Sequence, residues 1–111
     1  MSEVDFSLEP GGTLRLRCSL TIQQATEAWQ TLGTVLAKHD IAAVDLAEVA
    51  EFDTAGLQLL LMAKRLASMR RRALSLINHS AAVLSTLSLM NAAGLLGDPV
   101  ILPSSAQGGG P

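Results

Sequence analysis

Residues 41–46 (IAAVDL) and 74–77 (LSLI) are short, nearly unbroken apolar runs, as expected of strands buried under helices. Between them Leu57, Leu59, Leu60, Met62, Ala63, Leu66 and Ala67 follow a polar start at Asp53, which predicts a helix over about 54–70 with Asp53 as its N-cap. Strand, helix and strand in that order impose a right-handed crossover. The economical arrangement is therefore a mixed sheet with helices laid against it.

The flanking segments extend this unit. Val4, Phe6 and Leu8 alternate with polar residues, Pro10-Gly11-Gly12 marks a turn, and Leu14, Leu16 and Cys18 alternate again, which predicts a β-hairpin. From Thr21 the period changes to three and four through Ile22, Ala25, Trp29, Leu32 and Leu36. A helix over about 21–38 follows, with Thr21 and Gln24 spaced as a capping box. After the second apolar run, Asn78 or Ser80 caps a third helix over about 81–93, ended by Gly94. Val100 to Leu102 fits a last short strand, and the Ser-, Gly- and Pro-rich tail 103–111 is expected to be disordered. The order is β-β-α-β-α-β-α with room for a final β, in one domain over 1–102.

A chain of 111 residues suits one core. Hydrophobic residues make up 49%, and Phe6, Trp29 and Phe52 are the only Phe, Trp or Tyr, so that core is aliphatic. The net charge of −2 gives no overall pull toward nucleic acid or anionic membrane. Cys18 has no second cysteine to pair with, which fits a reducing compartment, and MSEVDFSLEP carries acids where a secretory signal needs a basic region. The longest apolar stretch, ending at Ala63, falls short of the ~20 residues that span a bilayer. A cytoplasmic protein without direct membrane insertion is the expectation.

Asp53-Thr54-Ala55-Gly56 carries the local chemistry. A helix start leaves backbone N–H groups unpaired, and Asp53 is placed to accept from residues 55 and 56, a contribution of ~1 kcal/mol. Thr54 would then stand in the first turn with its hydroxyl toward solvent. Gly56 leaves space for a close neighbour or for a partner backbone. This pattern is either an ordinary helix start or one displayed to another protein. The helix that follows has few polar positions, mainly Gln58, Lys64 and Arg65, so it is either sandwiched between neighbours or offers an apolar face to a partner.

Lys64, Arg65, Arg70, Arg71 and Arg72 hold five of the eight basic residues. They complement the carbonyl end of the helix more economically than they form a nucleic-acid or lipid-headgroup patch, since no basic residues elsewhere extend them. His39 and His79 lie beside element ends with no neighbour at metal-ligand spacing. Asp40, Asp45, Glu48, Glu51 and Asp53 gather near the loop, but the acid doublet and late lysine of a phosphoacceptor receiver are absent. No metal, cofactor or catalytic residue is expected.

The stretch VDLAEVAEFDTAGLQLLLMAKRLA, followed by ALSLIN and a helix ending NAAGLL, resembles a STAS domain, the fold of anti-sigma factor antagonists, over about residues 4–102. The resemblance implies an α/β fold: a mixed sheet of four to five strands with three or four helices packed mainly on one side. It also implies no catalytic activity. In that family the residue after the motif's Asp is a Ser or Thr phosphorylated by an anti-sigma kinase, a position held here by Thr54. Ala55 stands where sigma-type regulators usually have a second Ser or Thr. The DTAG form is similar to that of the STAS subunit of the Mla phospholipid-transport complex, which docks on an ATPase, and of STAS proteins accompanying chemosensory systems. The partner implied is a serine/threonine anti-sigma kinase, a transporter ATPase or a chemosensory protein. The contacts expected for it are Glu51, Asp53, Thr54, Gly56, Leu57 and Gln58, with Thr54 as contact or phosphoacceptor.

Overall fold

The computed structural model describes residues 4–90. The predicted hairpin is present: β1 (Phe6–Glu9) and β2 (Thr13–Leu16) pair antiparallel, Phe6 opposite Leu16. Its turn uses Gly11 and Gly12 at φ of 86° and 85°, a region open to glycine. β3 (Ala43–Asp45) pairs parallel with β2, and β4 (Ser75–Ile77) parallel with β3, giving the order β1-β2-β3-β4.

Register decides where the core lies. Leu14, Val44 and Leu76 are aligned across the sheet and are at most 1% exposed, in one cluster with the inner faces of the helices. The next row, Arg15, Asp45 and Ile77, points the other way because side chains alternate along a strand. There Arg15 forms ion pairs with Glu9 (3.3 Å), Glu48 (3.5 Å) and Asp45 (3.9 Å). The pattern of a strand covered by helices thus holds for one face of β3. On the other face Asp45 is buried through polar partners, accepting from the Ala47 N–H (2.9 Å) and from Asn78 Nδ2 (3.0 Å).

Helix α1 (Ala25–Lys38) begins four residues later than its apolar period predicts. Thr21 to Gln24 form a tight turn instead: the Gln24 N–H donates to the Thr21 carbonyl, and Gln24 Oε1 accepts from the Thr21 N–H, each at 3.0 Å. The reciprocal half of a capping box is present, but it closes a turn ahead of the helix. Ile22 consequently leaves the buried stripe and is 76% exposed, while Ala28, Leu32 and Leu36 face the core.

Helix α2 (Thr54–Met69) follows its expected span. Helix α3 (Ala81–Leu89) is capped by Ser80, whose Oγ accepts from the Val83 N–H (3.2 Å) and donates to the Val49 carbonyl (2.6 Å). Asn78 is the residue that does not cap; at φ 54° it turns the chain and reaches Asp45. The predicted stop at Gly94, the strand at 100–102 and the tail 103–111 lie outside the described residues. Among the described residues, no helix is long and apolar enough to cross a membrane.

Candidate functional site

The start of α2 is fastened to the loop that follows β2. Leu20 and Phe52 form an isolated parallel bridge, the Leu20 N–H donates to the Glu51 carbonyl (2.9 Å), and the Glu51 N–H donates to Ser19 Oγ (3.2 Å). Asp53 completes the join. Its Oδ1 accepts from the N–H groups of Ala55 (2.9 Å) and Gly56 (3.3 Å), as an N-cap should, while Oδ2 accepts from the Ile22 N–H (3.1 Å). One carboxylate therefore caps a helix and clasps two loops.

The close neighbour of Gly56 is the chain itself. A Cβ there would collide with the Leu20 carbonyl oxygen and lie 2.8 Å from two atoms of the Phe52 ring. Gly56 is buried, and Leu57 is 2% exposed. Both were expected at a partner surface; instead the bridged loop packs directly on Gly56, and Leu57 lies on the inner stripe of α2. Thr54, Glu51 and Gln58 are exposed, and Asp53 is half-buried. Ile22, which its period assigned to the core, stands in this surface because its N–H is tied to Asp53. The sequence signal for it was faint: one apolar residue among Thr21, Gln23 and Gln24.

The inner side of α2 places Leu57, Leu60, Ala63 and Ala67 in the core. Its outer side carries Ala55, Gln58, Met62, Arg65 and Met69 at spacings of three and four, with Met62 43% and Met69 75% exposed. An apolar face is thus left uncovered by the described residues. Against α1 it forms a groove of about 380 Å3 that includes Ala25, Trp29, Gln58 and Met62.

The basic residues divide by role. Lys64 Nζ donates to the Leu74 carbonyl (2.8 Å), and Arg72 pairs with Asp40. Arg71 takes φ 60°, so that its N–H reaches the Ser68 carbonyl and that of Arg72 reaches Ala67, each at 2.9 Å, the bonding of a Schellman helix end. Arg65 and Arg70 are exposed, with no ion pair among the described residues.

The acids have separate duties, Asp45 on the open sheet face, Asp53 at the clasp and Asp40 beside Arg72. Among the described residues, no group of three His, Cys, Asp or Glu side chains could hold a metal ion. His39 ends α1 at the surface, and His79 is 1% exposed. Burial pushes the Cys18 thiol above its ordinary value of 9.0, which keeps it protonated and a poor nucleophile near neutrality.

Residues 4–98 match the family model described as "Mlab, STAS domain". No curated protein matches the chain.

Proposed function

Because the chain belongs to the STAS domain family, we propose that it is a non-enzymatic, cytoplasmic regulator of the anti-sigma factor antagonist kind, which binds a protein partner through the start of α2. The observation that supports this most is the exposed Thr54 in the first turn of α2, beside a carboxylate that holds two loops in one arrangement. Thr54, Gln58 and Glu51 make the contacts, Asp53 orients them, and Ile22 adds apolar area at the edge. Gly56 acts from beneath, by letting the loop pack on the helix, and Leu57 anchors that turn in the core.

Phosphorylation of Thr54 is the switch in this reading. A phosphate brings about −1.5 to −2 charges, and the N–H groups of Ala55 and Gly56 that would welcome it already serve Asp53. The added charge sits against a carboxylate in solvent, where water screens it and the fold survives. A partner surface that excludes water does not tolerate it.

A second reading is favoured by the family description, which names Mlab, and by Ala55 in place of a second hydroxyl residue. Here the chain is the accessory subunit of a phospholipid-transport ATPase and docks through the same surface without modification. Affinity capture with the native chain and with Thr54→Glu, followed by phosphopeptide mapping after incubation with ATP, tests both. A captured kinase and one phosphate on Thr54 select the regulatory switch; a captured ATPase without phosphate selects the accessory subunit. Thr54→Glu should abolish capture in either case with an unchanged melting temperature, and a variant that fails to fold would overturn the shared surface.

A further inference from the structure

The groove between α1 and α2 runs on from Gln58 toward the end of α2, where Trp29, Met62, Leu66 and Met69 line it. Arg65 is the one charged residue in its lining among the described residues, and no acid stands there. From Thr54 to Met69 the helix rises about 22 Å, the length of about four turns. We propose that this groove docks an amphipathic helix of a partner protein, its apolar stripe on Trp29, Met62 and Met69 and its carboxylates toward Arg65 and Arg70.

Shape selects a helix. An apolar hollow along the seam of two helices accepts a rod with an apolar stripe, whereas a lipid surface needs a protruding apolar face. Methionine side chains adapt to such a stripe, and their exposure here leaves them without that packing among the described residues. Charge selects the occupant's sign and direction. Lys64 and Arg72 are engaged by Leu74 and Asp40, while Arg65 and Arg70 have no ion pair among the described residues, so the acidic end of the incoming helix lies at the C-terminal end of α2. The groove lining at the other end, with Ala55 and Gln58, carries no charged side chain. This surface goes beyond the docking reading above, since it requires neither a kinase nor an ATPase and stands if Thr54 proves silent.

Trp29 is the only tryptophan, so its fluorescence reports occupancy of the groove in the full chain. The probe is a synthetic amphipathic helix of about four turns, with leucines every third and fourth residue and glutamates in its last turns; its control carries lysines in their place. The expected result is saturable binding of the acidic peptide, about tenfold weaker binding of the lysine peptide, and reversal of that preference in Arg65→Glu. Thr54→Glu should leave the acidic peptide's affinity within about twofold, because that charge is more than a screening length from the carboxylates. Equal affinity for both peptides, or no saturable change in a chain with a native circular dichroism spectrum, would overturn the proposal. So would binding to phosphatidylglycerol vesicles in place of the peptide, or a dimer in sedimentation that Met62→Asp dissolves.

Discussion

At Gly56 a missing side chain is a structural necessity, since an added Cβ has to displace the Leu20 carbonyl or the Phe52 ring. Gly56→Ala should destabilise the protein by about 1–3 kcal/mol, measured by urea unfolding. Asp53→Ala removes the cap and the tie to Ile22 together, with an expected loss of about 1–2 kcal/mol in the same assay. Thr54→Glu, next to Asp53 but exposed, should change stability by no more than about 0.5 kcal/mol. Asp53 was legible in the sequence because capping is local: an acid directly before an apolar run. The inward role of Gly56 was not, because the group that presses on it, the Leu20 backbone, belongs to a different loop. Spacing along the chain carries no information about which loop comes to lie there.

Elements were legible where the hydrophobic period is long and unambiguous. The hairpin, the two parallel strands and α2 follow from alternation, short apolar runs and a helical stripe. The start of α1 was not, since Ile22 satisfies the helical period while the Thr21 to Gln24 turn competes for the same backbone groups. Within α1, Gly33 is free of any such constraint: a Cβ there meets nothing within 4 Å, and no positive φ requires glycine. Gly33→Ala should therefore stabilise the protein by about 0.5–1 kcal/mol, seen as a higher urea midpoint. The groove between α1 and α2 arises only when the two helices lie side by side. The sequence announced a helix with few polar residues; it could not say which neighbour would leave its outer face bare.

The described residues enclose one apolar layer between a sheet and its helices, with arginines and acids on the opposite face of the sheet. Cys18 lies in that layer, 8% exposed, and its thiol holds its proton to higher pH than the unfolded chain does. As pH rises past 9.0 the unfolded chain ionises first, so the unfolded state binds fewer protons and stability falls until the buried thiol also ionises. The urea midpoint should fall as pH rises past 9.0, and less steeply in Cys18→Ala. At this scale the clasp made by Asp53 also governs recognition. Thr54, Glu51 and Ile22 lose their freedom together when the chain folds, before any visitor arrives. Association at that end then resembles the meeting of two rigid bodies, with tightness set by fit and little of the favourable energy consumed in ordering loops.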